Sequence, residues 1–305
     1  MTVSGVLNID KDAGWTSSQA VQLVKRRTGA RRVGHAGTLD PTATGVLIVC
    51  LGQAVRVSEY LMALPKVYRA RVLLGITTET YDSEGRMVAT AEYRDVSRTE
   101  VEGVLAGFVG DIQQLPPVYS ALKVGGQPAY RLARQGKPVA LKPRPARIYR
   151  ADLLRFDPPL VEIEVECGKG TYIRSLAHDL GQRLGCGAHL SGLIRTKVGP
   201  FDIESAVSLA ELQEAVDRGA WQDLLLPMDY GLGHLPAITL DIEDERDLRH
   251  GQAVSLAASV LTMVGGPQPG LQCRAYAEDG SLIAIVSYDE GADVWRPRKV
   301  FGEGS

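Results

Sequence analysis

The chain has 305 residues and a formal net charge of −2, with 45% hydrophobic and 23% charged residues. This length favours two domains, and the composition is ordinary for a soluble protein with a hydrophobic core. The apolar runs are too short to span a bilayer and no signal peptide is visible at the N-terminus, so we expect a cytoplasmic protein without a membrane-spanning helix.

Patterns of apolar and turn-forming residues predict alternating helices and strands in the first 110 residues. These are a helix over 17–29, strands over 45–52 and 67–75, a turn-rich connection over 78–88 and a helix over 97–110. The first helix is expected to begin at Ser17 or Ser18 and to end at Gly29. Ser97 followed three residues later by Glu100 has the spacing of a capping box.

The rest of the chain is also of mixed character. We predict a proline-rich loop over 114–149 with a short helix at 129–136, a strand over 160–167, a glycine turn and helix over 168–187, a helix over 208–221, a boundary over 229–239, an acidic helix over 241–251, short strands over 271–289 and a basic tail over 296–301. Because helices and strands interleave without a regular βαβ rhythm, a mixed α+β sheet is favoured over a doubly wound one.

The cysteines predict neither disulfide nor metal chemistry. None of the four forms a CxxC pair or has metal-ligand spacing to a histidine. We therefore expect buried thiols in a reducing compartment. They are Cys50, Cys167, Cys186 and Cys273.

The charges are unevenly distributed along the chain. Residues 1–150 carry 21 Lys and Arg against 12 Asp and Glu, whereas residues 151–305 carry 13 against 24. Five of the eight residues over 25–32 are basic, and residues 112–151 contain eight basic residues and no acid. A solvated basic face would explain the shorter run, but the acid-free stretch is long enough to follow a phosphate backbone.

The stretch "GHAGTLDPTATGVL", residues 34–47, places Asp40 on a turn before an apolar strand. Asp before Pro is common turn chemistry, so Asp40 could simply cap the turn. A functional role for this carboxylate is the alternative. The spacing alone leaves both interpretations open.

Two functions are considered for other parts of the chain. "CGKGT", residues 167–171, lies between a predicted strand and a helix, as a phosphate-binding loop would, but it lacks the first glycine of a Walker A loop. A non-enzymatic RNA-binding or RNA-chaperone protein would also explain the basic stretch. Replacing Asp40 by Asn separates the last interpretation from an enzyme, since a chaperone role would survive the change.

Five stretches in order along the chain resemble the TruB family of tRNA pseudouridine-55 synthases. They are "GHAGTLDPTATGVL", "KVYRARVLLGITTETYDSEG", "QLPPVYSALKVGGQPAYRLARQGK", "CGKGTYIRSLAHDLGQRLGCGAHLSGLIRTKVGPF" and "LPAITLDIEDERDLRHGQAV". The resemblance implies an α+β fold with a mixed-sheet pseudouridine synthase domain over 1–232 and a thumb-like RNA-binding insertion at about 114–150. It also implies a small β-rich PUA-like RNA-binding domain over 233–305.

The resemblance implies isomerisation of uridine 55 in the tRNA T-loop to pseudouridine, with base flipping and no cofactor or metal. Asp40 corresponds to the family's nucleophile and Arg174 to the arginine that pairs with it, whose planar fork could hold both carboxylate oxygens. Further residues match catalytic or uracil-pocket positions: Tyr68, which stacks on the base, His35, Tyr172 and Leu193. Asp82 resembles an acid near the active site, although the chain has "TETYDSEG" where "TDTxDxxG" is more common.

The acid-free stretch matches the family's RNA-gripping insertion. The implied RNA-binding residues are Lys123, Arg131, Arg134, Lys142 and Arg144. The implied partner is the T-arm of tRNA, with no membrane and no obligate protein partner. A relative that works within a guide-RNA particle is an alternative, but the compact length and intact insertion favour a stand-alone enzyme.

Overall fold

The computed structural model describes residues 3–120, 122–137, 139–255 and 267–302. No helix in these ranges is both long and apolar enough to cross a membrane. The strands are β1 (Gly5–Lys11), β2 (Val33–His35), β3 (Thr44–Leu51), β4 (Lys66–Leu74), β5 (Ile76–Thr78), β6 (Met87–Thr90), β7 (Gly110–Gln114), β8 (Lys123–Val124), β9 (Gln127–Pro128), β10 (Arg144–Asp157), β11 (Leu160–Cys167), β12 (Ala188–Val198), β13 (Phe201–Asp202), β14 (Val207–Ser208), β15 (Ala237–Thr239), β16 (Gln272–Tyr276), β17 (Leu282–Asp289) and β18 (Val294–Val300). The α-helices are α1 (Ser17–Thr28), α2 (Ser58–Ala63), α3 (Arg98–Ala106), α4 (Ala129–Arg134), α5 (Ile173–Arg183), α6 (Leu209–Asp217) and α7 (Ile242–Arg249).

The centre of the fold is a ten-stranded mixed sheet. Its strand order is β14-β1-β3-β12-β4-β11-β10-β7, with β13 paired to β12 and β2 paired to β3. β12 runs parallel to β3 but antiparallel to β4. The predicted mixed α+β sheet is therefore confirmed, and strands distant in sequence meet at its middle.

Helices bury apolar faces of this sheet. One cluster joins α3 and α5 to strands β4, β10 and β11, and a second joins α1 and α6 to β1 and β3. Tyr68 and Leu193 pack against both clusters. The two residues therefore mark the seam between the two halves of the sheet.

The predicted helix caps are partly correct. Ser97 and Glu100 form the expected capping box at α3, and Gly29 ends α1 in the left-handed conformation. The cap of α1 is Thr16, rather than Ser17 or Ser18, because Gln19 completes a capping box with Thr16. Ser17 is instead buried and bonds the loop at Leu39.

The predicted basic loop is more structured than its prolines suggest. Its first residue, Gln114, ends β7 and its last residues lie in β10, so the insertion proper spans 115–143. Within it lie α4 and the two-stranded β8–β9 sheet. The predicted short helix is thus confirmed, whereas an open loop over 144–149 is wrong.

The C-terminal part is a separate four-stranded sheet in the order β15-β16-β17-β18. The basic tail predicted over 296–301 is largely strand β18 rather than an irregular end. Phe301 and Leu282 pack into the core beside β3 and α2, so the small sheet is docked through apolar contacts. The boundary between 232 and 233 remains a prediction.

All four cysteines are buried and free, which confirms the expectation of buried thiols. Burial raises the pKa of Cys50 to about 12. Since the thiolate is the reactive form, this thiol is chemically inert at neutral pH.

Candidate active site

Asp40 lies on a loop that is tied to the protein mainly through its backbone. The amide of Ala43 donates to the carbonyl of Asp40 at 3.1 Å, which closes the turn before β3. The hydroxyl of Ser17 bonds both the amide and the carbonyl of Leu39, at 2.9 and 3.1 Å. The turn is therefore closed by the main chain, and the Asp40 carboxylate is left to pair with Arg174.

That carboxylate faces Arg174, in the first turn of α5. Nη2 of Arg174 lies 3.0 Å from Oδ2 of Asp40, and the arginine side chain is 9% exposed against 41% for the aspartate. Nη1 of the same guanidinium donates to Oδ2 of Asp82 at 3.2 Å. The fork is thus shared between two carboxylates, which corrects the expectation that it holds both oxygens of Asp40.

Asp82 is a buried member of the site and is firmly held. Thr80 donates its hydroxyl to Oδ1 of Asp82, and the amide of Glu84 donates to the same oxygen at 3.1 Å. Glu79, which departs from the common family pattern, pairs with Arg86 at 3.2 Å across the β5–β6 hairpin. The change at Glu79 therefore leaves the carboxylate that contacts Arg174 in place.

The environment of Asp40 shifts its titration. Desolvation by the surrounding groups raises the pKa of the Asp40 carboxylate above its ordinary value of 3.8, and the negative charge of Asp82 adds to this. The charges of Arg174 and Lys11 oppose the shift. Arg174 thus helps keep Asp40 ionised, which is the form that can act as a nucleophile.

Tyr68 and Leu193 lie on neighbouring central strands beside this pair. Tyr68 is in β4 and Leu193 in β12, and both are partly buried. Burial raises the pKa of the Tyr68 phenol, with the charge of Arg195 opposing it, so the hydroxyl is protonated at neutral pH. An aromatic face and an aliphatic side chain at this seam can enclose a flat base.

His35 and Tyr172 lie on the segments that lead to Asp40 and Arg174, respectively. His35 ends β2, five residues before Asp40, and its buried Nδ1 has no hydrogen-bond partner among the described residues. Burial and the charge of Arg195 lower its pKa, so the imidazole is neutral at pH 7. Tyr172 is the N-cap residue of α5, two positions before Arg174.

Two buried cations beneath the Asp40 loop were not predicted from the sequence. Arg195 is 1% exposed and donates to the carbonyls of Val46, Thr38 and Gly37 at 2.7, 3.3 and 3.2 Å. Lys11 is fully buried and donates to the carbonyls of Asp12, Trp15 and Pro41 at 2.9, 2.8 and 3.3 Å. Both side chains use backbone oxygens of the loop or its flanks, so they fix the loop's path.

Burial lowers the pKa of Lys11 to about 8. The ammonium therefore keeps its charge at neutral pH and remains close enough to act on Asp40. For Lys11 the sequence held a signal, a charged residue at a position where strand alternation calls for an apolar one, in "VLNIDK". Arg195 had no such signal, because bulges break the alternation of β12.

Gly45 lets β3 and β12 meet under this loop. Its φ is +95°, and a Cβ there would lie 2.3 Å from the carbonyl oxygen of Arg195. Only glycine fits that conformation and that approach. The close contact brings the guanidinium of Arg195 beneath residues 37 and 38.

Four of the five predicted RNA-binding side chains are exposed. They are Lys123, Arg131, Lys142 and Arg144, while the side chain of Arg134 lies outside the described residues. Two other cations of the acid-free stretch form ion pairs in β10. Arg147 pairs with Asp111 at 2.5 Å, and Arg150 pairs with Glu164 at 2.7 Å. The four exposed predicted cations lie in the insertion of residues 115–143 or, in the case of Arg144, directly after it.

Among the described residues, no three His, Cys, Asp or Glu side chains are grouped as metal ligands.

The fold is shared with known RNA-modifying proteins. The chain matches the crystal structure of a Cbf5-Nop10-Gar1 complex with a TM-score of 0.76 and 27% identity, over 98% of this chain and 85% of that one. A structure of an H/ACA RNP bound to a substrate RNA containing 2′-deoxyuridine matches with a TM-score of 0.74 and 26% identity, over 98% of this chain and 85% of that one. The architecture is that of the pseudouridine synthases.

Sequence comparison identifies the family. The model of the TruB family pseudouridylate synthase N-terminal domain matches residues 25–173, and that of the tRNA pseudouridylate synthase B C-terminal domain matches residues 174–233. The tRNA pseudouridine synthase B of Dehalococcoides mccartyi is 41% identical over 98% of this chain and 97% of its own, and that of Syntrophotalea carbinolica is 46% identical over 94% and 92%. The chain belongs to the TruB family of pseudouridylate synthases.

Proposed function

We propose that this enzyme isomerises uridine 55 in the T-loop of tRNA to pseudouridine, with Asp40 as the nucleophile. The contact that carries the proposal is the ion pair of 3.0 Å between the half-exposed Asp40 and the buried Arg174. Relatives over nearly the whole chain, named tRNA pseudouridine synthase B, support tRNA as the substrate.

The reaction breaks the bond between N1 of uracil and C1′ of the ribose, and forms a bond between C5 and C1′. C5 loses its proton and N1 ends with one, so the product is an isomer and nothing is consumed. Asp40 assists by forming a transient covalent adduct, which divides one difficult step into two easier ones. An adduct through C1′ or through the ring needs the same ionised carboxylate.

We assign a role to each neighbouring side chain from its position in the site. The uridine must leave its stack to reach Asp40. Tyr68 then stacks on the base, and Tyr172 and Leu193 line its pocket. His35, neutral and partly buried, occupies the RNA side of the site and fills the space that the base leaves.

The insertion supplies the grip on the T-arm. Lys123, Arg131 and Lys142 present cations from this segment and Arg144 from its end, and Arg134 belongs to the same helix as Arg131. Each phosphate contact releases counterions, so the protein can bind a polyanion despite its net charge of −2.

The position of modification is tested with tRNA transcripts labelled with tritium at C5 of uracil. We expect release of one tritium per tRNA from the wild-type transcript. A matched transcript with cytidine in place of uridine 55 should release none. Release from the cytidine transcript at the wild-type rate would contradict specificity for position 55.

A further inference from the structure

Gln114 joins the start of the insertion to the helix that carries Arg174. Gln114 is the last residue of β7 and is 2% exposed. Its Nε2 donates to the carbonyl of Tyr172 at 2.9 Å, and its Oε1 accepts from the amide of Tyr172 at 2.8 Å. One side chain thus bonds both main-chain groups of the N-cap residue of α5.

Ser175 makes a second link in the same place. It is 1% exposed, and its hydroxyl donates to the carbonyl of Leu115, the first residue of the insertion, at 2.7 Å. Three hydrogen bonds therefore connect residues 114–115 with residues 172–175. Arg174 lies inside the second of these segments.

One of these bonds replaces part of a helix's own cap: Gln114 accepts from the backbone N–H of the N-cap residue Tyr172, as the third helical residue does in a capping box. Helices α1, α3 and α6 each begin with a capping box formed by their own residues. The N-cap residue of α5, Tyr172, makes no side-chain cap bond, and the hydroxyl of Ser175 is turned toward Leu115. The orientation of the first turn of α5 therefore depends on where the base of the insertion lies.

We propose that Gln114 and Ser175 are positioning residues that couple the insertion of residues 115–143 to Arg174. RNA bound to the insertion fixes residues 114 and 115. The three hydrogen bonds then hold the first turn of α5, and with it the guanidinium that faces Asp40. This inference rests on the proposed roles of Asp40 and Arg174. It adds that the catalytic pair is fully aligned only when the insertion is correctly placed.

A shift in the pH dependence of the rate distinguishes the coupling from a general loss of stability. The charged and titratable groups that act on Asp40 are Arg174 from α5, Asp82 from the β5–β6 connection and Lys11 from β1, with Tyr68 of β4 coupled to it. Of these, only Arg174 lies in the segment tied by Gln114. If the guanidinium moves away, Asp40 holds its proton to higher pH, so the acid-side fall of the rate moves to higher pH.

The test uses the full-length chain with Gln114→Met, which keeps the length of the side chain and removes both of its hydrogen bonds, and Ser175→Ala. Single-turnover tritium release, tRNA binding and thermal unfolding are measured for each across pH. We expect the rate to fall by about tenfold or more, because small misplacements of a catalytic group cost up to ~100-fold. tRNA affinity should stay within about twofold, and the acid-side fall should move to higher pH.

Matched variants separate coupling from folding. Asn8→Leu removes a buried amide that bonds the carbonyl of Asp202 and the hydroxyl of Ser205, away from α5. It should lower the unfolding temperature without moving the pH profile. Gln114→Leu also removes both hydrogen bonds without adding a charge near Arg174, and it should share the direction of Gln114→Met.

The outcomes distinguish this inference from the proposed function. The proposed function fails if Asp40→Asn leaves the rate unchanged, and the proposed role of Arg174 fails if Arg174→Ala leaves rate and pH profile unchanged. If Arg174→Ala acts but Gln114→Met and Ser175→Ala change only the unfolding temperature, as Asn8→Leu does, then the coupling is overturned and the proposed function stands. Should Gln114→Met not fold, the same pH comparison on Gln114→Leu and Ser175→Ala decides.

Discussion

Arg174 divides its guanidinium between Asp40 and Asp82, and both partners of this contact act on the pKa of Asp40 together with burial. Burial raises the pKa of Asp40 and Arg174 lowers it, so the single-turnover rate falls as the pH drops through that value. Arg174→Ala should raise the pKa further and move the fall to higher pH. Arg174→Lys keeps a charge but cannot serve both carboxylates, so it should recover only part of the rate.

The measurement is the single-turnover rate against pH, with tRNA affinity measured in parallel. Arg174→Ala should reduce the rate far more than the affinity. A profile for Arg174→Lys that matches the wild type would show that the fork geometry is unimportant.

Asp82→Asn should move the profile in the opposite direction. The negative charge of Asp82 raises the pKa of Asp40, so its removal lets Asp40 ionise at lower pH. The plateau rate should still drop, because Asn lacks the charge that holds Nη1 of Arg174. A shift to higher pH would mean that Asp82 acts on Asp40 only through Arg174.

Helices α3 and α5 each contain a glycine, and replacing each by alanine should change the free energy of unfolding in opposite directions. A Cβ at Gly181 of α5 would lie 2.1 Å from the amide nitrogen of Ala188, whereas one at Gly103 of α3 would meet nothing within 4 Å. We expect Gly181→Ala to destabilise the protein by about 1–3 kcal/mol through overpacking. Gly103→Ala should stabilise it by about 0.5–1 kcal/mol.

Urea unfolding of both variants checks this pair of signs. Because the substitution is the same in both helices, Gly103→Ala is the control for helix propensity. Equal changes in the free energy of unfolding would show that α5 does not press against the start of β12.

Local sequence patterns were sufficient to predict elements that have a clear helix cap or a regular alternation of apolar and polar residues. Strand β11 alternates along its whole length, and α3 has its capping box in consecutive sequence. Strand β12 was not predicted as a strand, because bulges at residues 190–192 and 195–197 break its alternation and a buried arginine takes a core position.

The site was only partly predictable. The pairing of Asp40 with Arg174 came from the family resemblance, since nothing local in either segment specifies the other. The contact of Arg174 with Asp82 depends on the position of the β5–β6 connection in the fold. Lys11 and Arg195 anchor the Asp40 loop through carbonyls from several segments of the chain. Such contacts follow from tertiary structure and not from periodicity.

The whole chain is slightly acidic, so its attraction to RNA must be local. Lys123→Ala, Lys142→Ala and Arg144→Ala combined should flatten the dependence of log affinity on log salt. The slope should fall by roughly 0.7–0.9 for each phosphate that is no longer neutralised. The control combines Arg86→Ala, Arg94→Ala and Arg98→Ala, which removes the same charge from exposed pairs with Glu79, Glu92 and Glu102.

Binding titrations of tRNA at several salt concentrations give the two slopes. The control should keep the wild-type slope. Equal flattening by both triple variants would show that net charge, rather than the insertion, governs binding.

The central claim is that Asp40 is the nucleophile, and Asp40→Asn tests it most directly. Asn is nearly the same size and shape but cannot form the covalent adduct. Single-turnover tritium release from an unmodified T-arm stem-loop is measured beside binding of the same RNA. We expect no release above background with affinity within about twofold of the wild type, whereas turnover within tenfold of the wild-type rate would contradict the assignment.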